Sequence, residues 1–218
     1  MKSISLEDFG RYATRKKIQA ALRRAKISDE GSYDDFVEQL YEDIDDLIYR
    51  MQAGRELRQT DSEDRLSADI LSGLSQHGYI ATPDSKTGGH VDISVTLGDF
   101  AWIGEAKKDD NFYEGFLQLT TRYVTASGNY LHNQGGLIFY MVKAPDARGK
   151  LDIWRNELAA KGDTCTDCSH NILAFYSTHK LEGSGTNFKV RTMGVTLYHH
   201  PKDKSARISA AKKLGTNG

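Results

Sequence analysis

The stretch from His90 to Lys108 reads HVDISVTLGDFAWIGEAKK, and its pattern decides the fold that we expect. Before Gly98-Asp99, apolar residues occupy every second position, which is the period of a strand with one buried face. Gly98-Asp99 tolerates positive φ and therefore suits a two-residue hairpin turn. The stretch thus predicts a β-hairpin in which Leu97 faces Phe100 and one side is apolar throughout.

The same register places two acids opposite each other on the second side of the hairpin. Asp92 faces Glu105, and Lys107 follows two residues later. Directly opposed side chains lie roughly 4.5–5.5 Å apart at Cβ, where like charges are destabilising. Because carboxylate oxygens are preferred ligands of Mg²⁺, the pair predicts a cation between them. Lys107 would orient a water or stabilise negative charge there, although an isolated Glu-x-Lys is also common on solvated surfaces.

On these residues the chain resembles the PD-(D/E)XK nuclease superfamily, which has the restriction-endonuclease-like fold. Its motif is an acid at the start of one strand and (D/E)-x-K on the next strand. Asp92 matches the first acid, and Glu105-Ala106-Lys107 matches the second part. The resemblance implies an α/β fold with a mixed β-sheet flanked by helices. It also implies that Asp92, Glu105 and the Ala106 carbonyl hold Mg²⁺, for which Mn²⁺ can substitute.

The chain departs from the superfamily name because Val91, not proline, precedes Asp92. The literal Pro-Asp dipeptide is Pro83-Asp84, in a segment rich in Pro, Gly and Ser that predicts a loop. Asp84 has no matched position opposite Glu105. We therefore prefer Asp92 as the first acid of the motif.

The superfamily often places a further acid on the helix before the hairpin. The sequence predicts this helix from an N-cap at Asp61 or Ser62, and Glu63 lies on its core-facing side. The apolar stripe of the helix consists of Leu66, Ile70 and Leu74. Glu63 is either a site residue, as the resemblance implies, or a first-turn carboxylate favoured by the helix dipole. Weaker candidates for the same role are Asp64 and Glu56.

The segment after the hairpin predicts a second helix, capped by Asp109 or Asp110. Its apolar stripe consists of Phe112, Phe116, Leu119 and Tyr123. The superfamily often has a Gln, followed by a Tyr, on this helix near the active site, and Gln118 and Tyr123 match that pattern. Gln118 lies off the stripe and is either solvated or directed to the site. The basic candidates for holding a substrate phosphate are Lys86, Lys108 and Arg122.

The remaining segments complete the expected architecture. Residues 135–143 are continuously apolar and predict a buried central strand, residues 147–162 a helix, and residues 171–177 and 187–200 further strands. The order helix, three strands, helix, strand over residues 61–143 is the order expected of the nuclease core. We therefore expect an N-terminal helical extension (1–60), a nuclease-like domain (61–200) and a basic, flexible tail (201–218).

The N-terminal extension is unevenly charged, with a basic stretch at residues 15–26 and an acidic one at residues 28–50. The acidic stretch has the periodicity of an amphipathic helix. Its charges predict a solvated helix face. The alternative is a partner surface that forms a homodimer or larger assembly and is broken by charge reversal at Asp43, Asp45 and Asp46.

Composition sets further limits. A net charge of −1 over 218 residues gives no overall basic signature for nucleic acid. Two cysteines predict a reducing, cytoplasmic setting, and we expect no secretory signal or membrane span. Cys165, Cys168 and His170 have knuckle-like spacing, but a structural zinc site needs four ligands, so free thiols are expected.

The sequence leads to one functional expectation and one alternative. We expect a metal-dependent endonuclease that hydrolyses phosphodiester bonds of nucleic acid, with DNA favoured, as a prokaryotic or phage defence nuclease. Its expected site residues are Asp92, Glu105, Lys107, Glu63 and Gln118. The alternative is a catalytically silent nuclease-fold module that acts through protein partners.

Overall fold

The computed structural model describes residue 10 and residues 14–84, 91–124 and 132–203. The strands are β1 (Ile80–Asp84), β2 (Val91–Leu97), β3 (Phe100–Lys108), β4 (Gln134–Met141), β5 (Thr164–Asp167), β6 (Ala174–Lys180) and β7 (Asn187–Thr196). The α-helices are α1 (Lys16–Glu30), α2 (Tyr33–Ala53), α3 (Glu63–Gln76), α4 (Phe112–Leu117) and α5 (Ala147–Ala160). A 3₁₀ turn spans Arg55–Leu57, and a π-helical turn, Gln118–Tyr123, continues α4. Lys86 and the tail from residue 204 onward lie outside the described residues.

The seven strands form one mixed sheet in the order β1-β2-β3-β4-β7-β6-β5. The central strands β3, β4 and β7 run parallel, whereas the outer pairs on either side are antiparallel. The apolar run predicted as a central strand is β4, which lies between β3 and β7. The α/β class, the mixed sheet with flanking helices and the N-terminal helical region are thereby confirmed.

The predicted hairpin is formed by β2 and β3 in the predicted register. The ladder runs from the pair Leu97–Phe100 to the pair Ile93–Gly104, so Asp92 and Glu105 are the next residues along. Gly98 has a φ of 58°, as its place in the turn requires. The buried side of the hairpin consists of Val91, Ile93, Val95, Trp102 and Ala106.

A hydrophobic core lies on each face of the sheet, and β4 contributes to both. Ile138 and Tyr140 join the core formed with α2 and α3, whereas Leu137 and Phe139 join the core formed with α5. Ser62 caps α3 by accepting a hydrogen bond from the Arg65 amide. The predicted stripe of α3 (Leu66, Ile70 and Leu74) is fully buried. This packing fixes the first turn of α3 beside the end of β3.

Pro83-Asp84 lies in a strand, so the prediction of a loop there was wrong. The dipeptide ends β1, which lies at the edge of the described sheet and pairs with β2. The β1–β2 register shifts between Thr82 and Asp84. An edge strand tolerates proline because the missing N–H costs no ladder hydrogen bond on its open side.

The predicted cap of α4 was also wrong, because Asn111 rather than Asp109 or Asp110 precedes its first residue. Asp109 is buried with a φ of 64°. Its Oδ1 accepts hydrogen bonds from the amides of Val142 and Lys143 at 2.7 and 2.8 Å. These loop amides follow β4, so Asp109 ties the end of β3 to the end of β4. Asp110 instead pairs with Lys150 at 2.9 Å.

Two acids of α2 have partners within the chain, so the acidic face is not solvated throughout, and its role as a partner surface stays a prediction. Asp43 is buried and accepts two hydrogen bonds from Arg24 Nη1, each of 3.0 Å. Asp45 Oδ2 accepts one from Arg191 Nη2 at 2.7 Å. Each carboxylate is therefore paired with a guanidinium group. These basic partners lie on other elements, Arg24 on α1 and Arg191 on β7. Of the three acids proposed for charge reversal, Asp46 is the exposed one.

The longest described helix, α2, is amphipathic rather than apolar along its length. The 21 residues of α2 include many acids between the buried apolar positions. Within the described ranges, no helix combines the length and the apolar character that crossing a bilayer requires.

Candidate functional site

Three carboxylates surround one ammonium group at the carboxyl end of β3. Lys107 Nζ lies 2.5 Å from Glu105 Oε1, 3.6 Å from Glu63 Oε1 and 3.9 Å from Asp92 Oδ2. The structure therefore brings together four of the five site residues named from the sequence. We call Asp92, Glu105 and Glu63 the carboxylate cluster.

The three carboxylates come from three elements, β2, β3 and α3. Two of them, Asp92 and Glu63, accept hydrogen bonds from backbone amides of β3. Asp92 on β2 accepts a hydrogen bond from the Ala106 amide at 2.9 Å across the hairpin. Glu63, in the first turn of α3, accepts one from the Lys108 amide at 2.6 Å. Glu63 lies both in the first turn of α3 and beside Lys107, so both interpretations of this residue fit its position. Asp64 and Glu56 are exposed.

Burial makes the charged forms of these acids costly. It raises the pKa of Glu105 to about 7, with the Asp92 and Glu63 charges adding to the effect and Lys107 opposing it. Burial also raises the pKa of Asp92 and of Glu63, against the stabilising amide hydrogen bonds and Lys107. Burial disfavours the Lys107 ammonium, yet the three carboxylates, Glu105 foremost, raise its pKa above the ordinary value.

One atom of the cluster supports a cation site. Glu105 is 2% exposed, and its Oε2 has no hydrogen-bond partner among the described residues. A buried polar oxygen without a partner is rare and costly, and a hard divalent cation would satisfy it. Carboxylate and carbonyl oxygens are the ligands that Mg²⁺ and Mn²⁺ prefer, so the chemistry of these side chains suits either ion. As the side chains stand, however, the described residues contain no group of three or more His, Cys, Asp or Glu arranged to hold a metal ion.

Gly115 is a site neighbour that the sequence reasoning missed. A Cβ added at Gly115 would lie 2.8 Å from Lys107 Cγ and 3.7 Å from Glu105 Cγ. Only glycine lets α4 pass this close over the Lys107 stem. The signal was present in the sequence, since an isolated glycine inside a helical pattern often has a packing or functional reason.

Gln118 begins the π-helical turn three residues after Gly115. It is half-buried, and its Oε1 has no hydrogen-bond partner in the described part of the chain. A site role for Gln118 and a ligand role for the Ala106 carbonyl stay predictions. Tyr123 belongs to the same turn, but its side chain lies outside what the structure describes.

Tyr140 is a second neighbour that the sequence reasoning missed. Its hydroxyl is buried and lies 3.3 Å from Ser67 Oγ. Burial raises the pKa of Tyr140 well above its ordinary value, and the charges of Asp92 and Glu63 add to that effect. The Tyr140 hydroxyl, on the neighbouring strand β4, is therefore close enough to feel the negative charge of the carboxylate cluster.

The basic candidates for phosphate binding are differently placed. Lys108 Nζ donates to the Asp61 carbonyl at 2.6 Å, so its ammonium is partly committed. Arg122 is exposed on the π-helical turn.

The cysteines lie apart from this site and from each other. Cys165 packs against the core of α5, whereas Cys168 packs against the opposite core. Cys168 Sγ accepts a hydrogen bond from buried Arg191 at 3.4 Å, and His170 is exposed. Both cysteines are free thiols.

Comparisons with known proteins were made by sequence and by structure. No family model, no curated protein and no solved structure matches this chain significantly.

Proposed function

We propose that the protein is a metal-dependent nuclease that hydrolyses phosphodiester bonds, with DNA as the favoured substrate, and that its core is restriction-endonuclease-like. One observation carries the proposal, namely the convergence of Asp92, Glu105 and Glu63 on the Lys107 ammonium within 3.9 Å. Selection for stability alone would not gather three carboxylates around a single ammonium group, because removing each carboxylate from water costs free energy.

The carboxylate cluster would hold Mg²⁺ or Mn²⁺, with the Ala106 carbonyl as a further ligand. When bound, such an ion supplies Lewis acidity and lowers the pKa of a coordinated water. Three carboxylates against one ammonium also repel a phosphodiester, so the anionic substrate needs a cation at this site to approach it.

In this reaction the protein's own groups would position the attacking water and stabilise the negative charge that develops on the phosphate. Lys107 would donate a hydrogen bond to the attacking water or to the phosphate oxygen on which charge develops. The Ala106 amide holds Asp92, and the Lys108 amide holds Glu63, so both carboxylates keep their orientation without substrate. Such preorganisation lowers the cost of reaching the transition state.

The arrangement of elements supports the same proposal. Helix α3, strands β1 to β3, helix α4 and strand β4 follow one another in the expected order, and β4 pairs parallel with β3. By analogy with the superfamily, we propose a prokaryotic or phage defence setting in which a partner or activating ligand directs cleavage.

A cleavage assay tests the proposal. Plasmid, linear duplex, single-stranded DNA and RNA are incubated with the protein in Mg²⁺, Mn²⁺ or EDTA. We expect metal-dependent cutting that Asp92→Asn and Lys107→Ala reduce at least about 100-fold, since each removes a transition-state interaction. Asp64→Asn is the matched control, because Asp64 is an exposed acid beside Glu63, and it should cut like the wild type.

Two results would contradict the nuclease. Cutting that persists in EDTA, or in Asp92→Asn, would place the activity elsewhere or in a contaminant. Absence of both cutting and calorimetric Mn²⁺ binding would leave the silent nuclease-fold module that acts through protein partners.

A further inference from the structure

Lys107 occupies the space where the cluster would receive a cation. Among the described residues, all three carboxylates lie within 3.9 Å of its ammonium, and its side chain is 15% exposed. We propose that Lys107 is the resident counterion of the metal-free protein and that a divalent cation enters by displacing this ammonium. The inference rests on the proposed function and adds how the site is regulated.

The two cations cannot share the cluster in the observed arrangement. The Lys107 ammonium already lies 2.5 Å from Glu105 Oε1. Mg²⁺ needs carboxylate oxygens at about 2.0–2.1 Å in near-octahedral geometry. An ion bound to the same oxygen would lie beside the ammonium, and the two positive charges would repel each other strongly at this depth.

The ammonium is free to leave, whereas the stem of Lys107 is not. The stem runs beneath α4, where a Cβ at Gly115 would lie 2.8 Å from Cγ and 3.6 Å from Cε. Among the described residues, the ammonium pairs with the side chains of the carboxylate cluster, and the Lys107 side chain is 15% exposed. Rotation of the last bonds therefore moves the charge toward solvent without moving the helix.

Displacement would couple metal binding to substrate binding. An ammonium released from the carboxylates needs a new anionic partner, and the phosphodiester supplies one. Lys107 would thus contact the phosphate only after the cation has entered. In the metal-free protein its ammonium stays paired with the carboxylates and does not bind substrate.

Calorimetric titration with MnCl₂ tests this exchange. Lys107→Met keeps the stem and removes the charge, so it should bind Mn²⁺ at least about tenfold more tightly than the wild type. Lys150→Met is the matched control, since the Lys150 ammonium pairs with Asp110 rather than with the cluster, and its affinity should stay within about twofold of the wild type. Equal or weaker binding by Lys107→Met would overturn the exchange.

A second measurement uses the wild-type chain and therefore does not depend on how a variant folds. In ¹⁵N-lysine NMR spectra, the Lys107 ammonium resonance should shift or disappear on addition of Mg²⁺. A resonance that is unchanged at saturating Mg²⁺ would overturn the proposal.

The outcomes separate the two proposals. Cleavage and Mn²⁺ binding by the wild type, with no gain in Lys107→Met, would sink the exchange and leave the nuclease. Binding by both proteins, at least about tenfold tighter in Lys107→Met, would support the exchange. No Mn²⁺ binding by either protein would sink both.

Discussion

Glu105 shows at the scale of one residue how burial and function oppose each other. Its carboxyl group is 2% exposed, faces Lys107 and leaves Oε2 without a partner among the described residues. Burial raises its pKa to about 7 from an ordinary value of 4.5. Between these two pH values the folded chain binds a proton that the unfolded chain has released. The ionised form therefore destabilises the fold as the pH rises.

Glu105→Gln should remove this pH dependence. The free energy of unfolding of the wild type should fall relative to the variant between pH 4.5 and about 7 and then level off. The relative gain of the variant should reach about 1–3 kcal/mol at pH 8. Urea unfolding at pH 4.5, 6, 7 and 8 measures it. Parallel stability curves for the two proteins would contradict the raised pKa.

At the scale of elements, the approach of α4 to β3 determines where Lys107 lies. The close contact at Gly115 sets the stem of Lys107, and Asp109 fastens the end of β3 to the amides after β4. The site is therefore held by one helix above the sheet and one loop at its end. Substitutions in α4 or in the loop after β3 should therefore move the Lys107 ammonium without replacing any of the three acidic residues.

Gly115→Ala should reduce cleavage by the proposed nuclease at least about tenfold, because the added methyl group displaces the Lys107 stem. The free energy of unfolding should change by less than about 1 kcal/mol, since the helix propensity of alanine offsets the strain. Cleavage rates and urea unfolding measure the two effects. Gly54→Ala is the control, because a Cβ at Gly54 meets nothing within 4 Å. Equal activity in the two variants would show that the close contact does not position Lys107.

At the scale of the whole molecule, ion pairs of two buried arginines join the N-terminal helices to each other and to the sheet. Arg24 and Asp43 link α1 to α2, and Arg191 on β7 links the sheet to Asp45. The guanidinium of Arg191 is 1% exposed, so it depends on this carboxylate for neutralisation. The helical region is therefore part of the folded unit rather than a charged attachment to it.

Asp45→Ala should cost about 3–5 kcal/mol of unfolding free energy, because it leaves Arg191 buried without its counterion. Asp46→Ala removes an exposed acid paired with Arg50 one turn away and should cost less than about 0.5 kcal/mol. Urea unfolding of both variants compares the two. Similar costs would mean that the Arg191 pair contributes little.

Features that depend on neighbouring residues were predicted correctly, whereas contacts between residues far apart in the sequence were not. The hairpin register followed from alternation around Gly98-Asp99, because pairing and turn lie within a few residues of each other. Asp109 was misassigned because its amide partners lie 33 and 34 residues later. Asp45 was misassigned for the same reason, since Arg191 is 146 residues away.

The same limit applied to the candidate site. Opposed acids on one hairpin were predictable from spacing, and Glu63 was suggested by its helical face. The contact of Gly115 with Lys107 depends on how α4 crosses the sheet, which no local period encodes.

Pro83, which was set aside as a motif residue, protects the sheet from its neighbours. It lies on the outer strand β1, where the register of the β1–β2 ladder shifts between Thr82 and Asp84. A foreign strand approaching this border finds no N–H at Pro83 and an irregular backbone beside it. The opposite border, β5, is four residues long and carries mostly exposed side chains. Neither of the described borders is a long, regular strand, and short or irregular edge strands are the means by which natural sheets avoid edge-to-edge aggregation.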